Sequence, residues 1–185
     1  VHLTLAENAY HSFGLDEVLM LPNGDPPHKT DKIITPAVHR LAMLQRAVEG
    51  IPYFRISDME IRRKGYSYSS VTLEELKKAH PDTDYYFIMG ADSLFQIETW
   101  HEPAVIMADC VILAAMRNHT PDDVFKKQMD YLEAKYHADI RFLNIPDLAL
   151  SSSEIRRRVS EHQSIRFMVP EGVREYIEEH QLYCR

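Results

Sequence analysis

Three consecutive serines, Ser151, Ser152 and Ser153, run directly into a segment that carries three consecutive arginines. The apolar spacing predicts a helix over residues 153–160, which places the serines at its N-terminus. Free N–H groups and the helix dipole make such an N-terminus a good binding site for anions. Arg156, one turn into the helix, can add a bidentate phosphate contact. The alternative is a serine cap with solvated arginines, which is the more common use of this pattern.

A second polar segment, PNGDPPHK, follows a predicted strand near the start of the chain. Its two prolines fix backbone dihedrals and Gly24 permits a turn, which predicts a stiff loop. The loop presents His28 and Lys29, and both side chains can contact a phosphate. A rigid surface connector with solvated ends is an equally good interpretation of this spacing.

Further polar and aromatic residues follow the other strands. In the segment GADS, Gly90 allows close approach of a ligand and Asp92 can accept from a ribose hydroxyl, although a helix cap is the common role for such an Asp. The segment GYSYSS offers Tyr68 and Ser69 as candidate contacts for a ring and a carboxylate, with a simple turn as the alternative. Trp100 is the sole tryptophan and can stack on a ring, although a core or lid position is the default.

Composition excludes several classes of protein. A formal net charge of -7 argues against a general nucleic-acid or anionic-membrane surface. Two cysteines make neither a disulfide scaffold nor a zinc site and favour a reducing cytoplasm. The sequence has no HExxH, GxSxG, Walker lysine or GxGxxG motif, and no apolar run of roughly 18 residues. We therefore expect a protein with no resident metal and no membrane span.

Apolar strands alternate with amphipathic helices along the chain. Strands are predicted at 17–22, 52–60, 85–90, 110–116 and 140–145, and helices at 2–13, 36–49, 72–80, 121–136, 153–160 and 170–182. This alternation predicts an α/β fold with a mostly parallel sheet and helices on both faces. Ligands bind beyond the carboxyl ends of such strands, where the polar segments above are found.

In this order and spacing, five segments resemble bacterial nicotinate mononucleotide adenylyltransferase, a member of the nucleotidyltransferase superfamily. They are LPNGDPPHK, SDMEIRRKGYSYSSVTLEEL, YFIMGADSLFQIETW, SSSEIR and MVPEGVREYI. The resemblance covers nearly the whole chain and implies a single Rossmann-like domain over residues 1–185. It also implies the reaction of ATP with nicotinate mononucleotide to give nicotinate adenine dinucleotide and pyrophosphate, with Mg²⁺ carried on ATP.

The resemblance implies roles for two sets of residues. His2 and Arg156 would stabilise charge during the reaction. Contacts to ATP would come from these two and from four others: Gly90, Asp92, Ser152 and Ser153. Contacts to nicotinate mononucleotide would come from His28, Lys29, Ser69, Trp100 and Arg117. In this assignment Trp100 stacks on the pyridine ring, and Ser69 stands where family members usually carry Thr.

The first residues of the chain match the second half of the family's HxGH motif, with Val1 at the glycine position and His2 at the second histidine. We therefore expect a longer chain that supplies a strand, a glycine turn and the first histidine. Two alternatives stay open: an adenylyltransferase for nicotinamide mononucleotide or pantetheine phosphate, and a non-catalytic nucleotide-binding module.

Overall fold

The computed structural model describes residues 1–24, 35–116, 122–145 and 150–184. In chain order the elements are α1 (His2–Phe13), β1 (Val18–Met20), α2 (Ala37–Val48), β2 (Phe54–Ile56), α3 (Met59–Arg62), α4 (Ser69–Ala79), β3 (Tyr86–Gly90), α5 (Ala91–Gln96), a 3₁₀ turn (Ile97–Thr99), α6 (Pro103–Asp109), β4 (Val111–Ala115), α7 (Asp122–Tyr136), β5 (Ile140–Leu143), α8 (Ser152–Ser160) and α9 (Glu171–Glu179). The chain divides into two compact units. The first unit comprises residues 1, 17–66 and 148–185, and the second comprises 2–16 and 67–147.

In its described residues, the first unit contains a short pair of parallel strands, the one-turn helix α3 and three longer helices, α2, α8 and α9. β1 and β2 pair in parallel, with Val18 opposite Phe54. α2 packs against α9, and the guanidinium of Arg46 lies 4.9 Å from the centre of the Tyr176 ring. The small core of this unit is built on Ile165, Val173 and Ile177. α8 belongs to this unit and adds Ile155 and Val159 to that core.

The second unit contains a three-stranded parallel sheet in the order β3-β4-β5. Tyr86 lies opposite Val111, and Ile112 lies opposite Ile140. α1 contacts both β3 and β5, while α5 contacts β3 and β4. Six side chains of its main core cluster have no exposed surface: Leu94, Ile97, Ile106, Ile112, Ala114 and Leu132. The near-continuous apolar sequence of β4 reflects this burial, as expected for a strand covered by helices.

The prediction of an α/β fold with parallel strands is confirmed, because every strand pairing in the described residues is parallel and helices flank the strands. The predicted single domain over residues 1–185 stays a prediction. Within the described part of the chain, no helix is both long and apolar enough to span a membrane.

Several predicted elements differ from the structure by a few residues at their ends, and two of these differences change the setting of particular side chains. The strand predicted at 52–60 is confined to Phe54–Ile56, and Asp58 precedes the short helix α3 instead of continuing a strand. Helical spacing lets Asp58 pair with Arg62, whose guanidinium lies 2.9 Å from the carboxylate. The helix predicted at 72–80 begins three residues earlier, at Ser69, so Thr72 is buried inside it and does not cap it.

Candidate active site

The carboxyl end of β3 leads directly into α5 at Gly90. Gly90 has an ordinary extended backbone and precedes the helix as its cap residue. A Cβ at this position would meet no atom of the described residues within 4 Å. The packing of the chain therefore does not require a glycine here, and open space lies beside the backbone where a ligand could approach.

Asp92 occupies the first turn of α5 and is exposed. The interpretation of Asp92 as the helix cap is wrong, because Gly90 holds that position and no side chain caps the helix. Within the part of the chain that the structure describes, the Asp92 carboxylate has no hydrogen bond or ion pair. Its oxygens are therefore available to accept from a hydroxyl group.

Ser69 and Trp100 are 31 residues apart in sequence, yet their neighbours are in direct contact. The ring of His101 stacks on Tyr68, with centroids 4.3 Å apart and an interplanar angle of 22°. His101 Nδ1 also lies 3.2 Å from the Oγ of Ser70, a fully buried side chain. Through these contacts the structure brings the segments of the two predicted nicotinate-binding residues together.

Trp100 is held where the 3₁₀ turn ends. Its backbone N–H donates to the carbonyl of Ile97 at 3.0 Å. Its half-buried ring meets Phe87 of β3 edge-on, with centroids 6.4 Å apart. The side chain is therefore fixed by the core of the second unit while part of it is accessible to a ligand.

His2 is the first residue of α1 and its side chain is exposed. The helix is anchored by Leu5, Ala6 and Ala9, which are buried. Near its other end, Phe13 lies 6.3 Å from the ring of Tyr86 on β3. The sheet of the second unit thus positions the helix that carries His2.

The start of α8 is an exposed helix N-terminus in the first unit. Ser151 caps it, because its Oγ accepts from the backbone N–H of Glu154 at 3.1 Å. Ser152 and Ser153 are the first two residues of the helix and both are exposed. Their N–H groups have no partner one turn earlier in the helix, as at any helix start, so they can donate to an anion.

Arg156 differs from its two neighbours on α8. Arg157 and Arg158 both pair with Glu154, at 2.7 Å each, while their side chains stay partly exposed to solvent. These guanidinium donors lower the pKa of Glu154 from 4.5 to about 2. Arg156 has no carboxylate partner among the described residues; its Nη2 makes a long hydrogen bond of 3.4 Å to Ser153 Oγ. Its charge is therefore available near the serines.

His28, Lys29 and Arg117 lie outside the described residues. Sequence reasoning missed Arg40, which the structure does describe. Its guanidinium contacts the backbone on both sides of the segment that contains His28 and Lys29. Arg40 donates to the carbonyls of Asn23 at 2.5 Å and Gly24 at 3.3 Å on one side, and to that of Thr35 at 3.0 Å on the other. Nothing in the sequence around Arg40 marks it for this role.

His101 was also missed, although its position beside the sole tryptophan is a signal that could have identified it. In the described parts of the chain, no group of three or more His, Cys, Asp or Glu side chains is arranged to hold a metal ion. The first unit offers anion donors at the start of α8. The second unit offers the ring of Trp100 for stacking and the carboxylate of Asp92 as an acceptor for hydroxyl groups. Groups of these kinds can bind a nucleotide.

Comparison with known proteins agrees with this chemistry. The cytidylyltransferase-like family model matches residues 1–158. A protein of Lachnoclostridium phytofermentans named "Probable nicotinate-nucleotide adenylyltransferase" is 43% identical over 183 residues, which cover 99% of this chain and 92% of that protein. A Salinibacter ruber protein of the same name is 40% identical, over 98% of this chain and 90% of its own length.

Solved structures share the fold. The Plasmodium falciparum nicotinic acid mononucleotide adenylyltransferase complexed with NaAD matches with a TM-score of 0.75 at 20% identity, covering 98% of this chain and 89% of that one. A Vibrio parahaemolyticus structure matches with a TM-score of 0.64 at 18% identity, over 98% of this chain and 85% of that one. With a family model over most of its length and close relatives over nearly all of it, this chain belongs to the cytidylyltransferase-like family and, within it, to the nicotinate-nucleotide adenylyltransferases.

Proposed function

We propose that the protein transfers AMP from ATP to nicotinate mononucleotide, giving nicotinate adenine dinucleotide and pyrophosphate in the biosynthesis of NAD. Relatives of this name match nearly the whole chain. The structural observation that carries the proposal is the start of α8, where exposed serines and an arginine without a carboxylate partner in the described residues offer a site for phosphates.

The reaction requires one bond to form and one to break. A phosphate oxygen of nicotinate mononucleotide attacks the α-phosphorus of ATP, and the bond between that phosphorus and the α–β bridging oxygen breaks. Pyrophosphate leaves with the bonding electrons. No covalent intermediate with the protein is needed, so catalysis consists of positioning and stabilisation of negative charge.

The ATP contacts divide by chemistry. Ser152, Ser153 and Arg156 bind the β and γ phosphates, because helix N–H groups and a guanidinium suit phosphate oxygens. His2 stabilises the negative charge that develops on the phosphates. Asp92 accepts from a ribose hydroxyl beside the open backbone of Gly90. The exposed carboxylate of Asp92 and the open space at Gly90 support this assignment.

Nicotinate mononucleotide is bound through its ring and its phosphate. Trp100 stacks on the pyridine ring and the Ser69 hydroxyl donates to the carboxylate. The contact of His101 with Tyr68 and Ser70 supports this pairing, because it joins the two segments. His28, Lys29 and Arg117 bind the phosphate in this proposal, as the sequence resemblance implies.

A divalent cation fits the proposed chemistry, with Mg²⁺ as the ion. Mg²⁺ commonly binds through substrate phosphates and water with few protein ligands. When bound, it would neutralise charge on the ATP phosphates. A cytoplasmic location, predicted from cysteine usage, is part of the same proposal.

The test is pyrophosphate release by the full-length protein with ATP and Mg²⁺, comparing three acceptors. Nicotinate mononucleotide should react fastest, with nicotinamide mononucleotide and pantetheine phosphate far behind. A preference for either of the other acceptors would contradict the proposed substrate. Nucleotide binding without turnover of any acceptor would instead support a binding module and overturn the proposal.

A further inference from the structure

One carboxylate in the second unit, that of Glu98, receives three donors from a single helix. Its Oε1 accepts from Lys135 Nζ at 2.6 Å, from the Tyr136 hydroxyl at 2.9 Å and from the Tyr131 hydroxyl at 3.3 Å. Lys135 also donates to the Tyr131 hydroxyl at 3.0 Å. We call these four residues the Glu98 cluster. The three donors lie in the second half of α7, and Glu98 lies in the 3₁₀ turn.

The protonation states of the cluster keep it intact near neutral pH. Hydrogen bonds from Lys135 and Tyr136 lower the pKa of Glu98, so the acceptor is a carboxylate. The hydrogen bond to Glu98 raises the pKa of Lys135 and of Tyr136, so both remain donors. The acceptor is thus held by charge-assisted hydrogen bonds, which are stronger than neutral ones.

The 3₁₀ turn that carries Glu98 leads directly to Trp100. On its inner side the turn is anchored by Ile97, whose side chain has no exposed surface. Within the turn, the Thr99 hydroxyl donates to the carbonyl of Gln96 at 2.7 Å, and the Trp100 N–H donates to that of Ile97. Glu98 supplies the outer anchor, because its side chain fixes the turn to α7. Only Thr99 lies between Glu98 and Trp100 in the chain, so a shift of the turn at Glu98 also moves Trp100.

The cluster is a poor candidate for a purely stabilising feature. Glu98 and Lys135 are 32% and 48% exposed, and ion pairs between such side chains add little to global stability. The matched pair Asp123–Lys127 on the same helix is a simple i,i+4 contact at 3.7 Å that reaches no other element. By contrast, the Glu98 cluster joins two elements, and one of them ends at the predicted stacking residue.

We propose that Glu98 is a positioning residue, which fixes the 3₁₀ turn to α7 and thereby sets the position of the Trp100 ring for the nicotinate substrate. The inference rests on the proposed function for the identity of that substrate. Lys135 is the main donor of the cluster, and the two tyrosines hold Lys135 and Glu98 in place.

The experiment compares Glu98→Gln and Lys135→Met with the matched control Lys127→Met. We expect KM for nicotinate mononucleotide to rise about three- to ten-fold in Glu98→Gln and Lys135→Met. A change of this size corresponds to the loss of one hydrogen bond that positions a binding group. KM for ATP should stay within about two-fold of the original value, and Lys127→Met should leave both unchanged. Lys135→Arg retains charge and donors and should keep KM close to that of the original protein.

A second readout does not depend on activity. Trp100 is the sole tryptophan, so acrylamide quenching of its fluorescence reports on this side chain alone. Glu98→Gln and Lys135→Met should make Trp100 more accessible to acrylamide, with circular dichroism unchanged. Unchanged quenching and unchanged KM in both variants would overturn the positioning role, as would equal rises in the two KM values. If the original protein fails to use nicotinate mononucleotide, the proposed function fails, and the quenching result alone decides whether Glu98 positions Trp100.

Discussion

At the scale of single residues, helix spacing decides which arginine of α8 is available to a substrate. Glu154 pairs with Arg157 and Arg158, which lie three and four positions further along the helix. Side chains at those spacings are neighbours, whereas Arg156, two positions from Glu154, lies on a different face. The carboxylate therefore occupies two of the three arginines and leaves the third for an anion.

Replacement of Arg156 should separate phosphate binding from folding. We expect Arg156→Ala to raise KM for ATP about ten- to a hundred-fold, because a charged hydrogen-bonding group to the phosphates is lost. Arg157→Ala is the matched control on the same helix and should change KM for ATP less than about two-fold. Steady-state pyrophosphate release at varied ATP measures both. Equal effects of the two variants would contradict the assigned role of Arg156.

At the scale of elements, His101 links the start of α4 to the segment after the 3₁₀ turn. His101→Ala removes both the stack on Tyr68 and the hydrogen bond with Ser70, whereas His101→Phe keeps an aromatic ring. We expect the Kd of nicotinate mononucleotide to rise in both variants, and more in His101→Ala, with the Kd of ATP unaffected. Isothermal titration with each nucleotide checks this directly.

The exposed His80, at the end of α4, offers a control, and His80→Ala should bind nicotinate mononucleotide as the original protein does. If His101→Ala also binds nicotinate mononucleotide normally, the contact between the segments of Ser69 and Trp100 has no part in substrate recognition.

The elements show how far sequence alone could go. The apolar run of β4 and the periodicity of α1 predicted their elements closely, because burial imposes a strong pattern on both. The short helices α3, α5 and α6 were not predicted, since four to seven residues carry too little periodicity to separate a helix from a loop. The start of α8 was predicted from the serine run, close to its observed start at Ser152, whereas anion binding by Ser152 and Arg156 stays a prediction. The contacts of Arg40, Glu98 and His101 were not, because each depends on which distant elements the fold brings together.

The ion pairs of Glu154 predict a pH dependence for α8. Their arginine donors hold the pKa of Glu154 at about 2 in the folded protein, below its ordinary value of 4.5. A lowered folded-state pKa contributes stability that is present above the ordinary value and is lost as pH falls from about 4.5 towards 2. Glu154→Gln should therefore be less stable than the original protein at pH 7, and this difference should shrink as pH falls below about 4.5.

Urea unfolding at several pH values from 7 to 3 measures this difference. Glu133→Gln is a control on α7, where the described residues provide no ion pair for the carboxylate, and it should show little difference at any pH. A difference for Glu154→Gln that stays constant from pH 7 to pH 3 would contradict the role of ionised Glu154.

At the scale of the whole molecule, candidate functional residues and stabilising core are separate. Each described candidate is exposed or half-buried, from His2 and Asp92 to Trp100 and Arg156. The fully buried side chains are apolar groups such as Ile112 and Leu132, together with the hydrogen-bonded Ser70. We therefore expect variants of the proposed site to fold normally, while variants of the core change stability.

Ile112 provides the test of that separation, and Cys110 provides the probe. Ile112→Ala should lower the free energy of unfolding by about 2–5 kcal/mol, because it leaves a cavity in the core of the second unit.

Cys110 belongs to the same core, where burial raises the pKa of its thiol to about 12. Cys110 should therefore react with a thiol reagent only when that core opens. The exposed Cys184 should react at once in the native protein. Ile112→Ala should speed the slow reaction of Cys110, whereas Val124→Ala, at a position 43% exposed on α7, should not. Rapid labelling of both thiols in the native original protein would show that the core of the second unit is open to solvent, contrary to the packing described above.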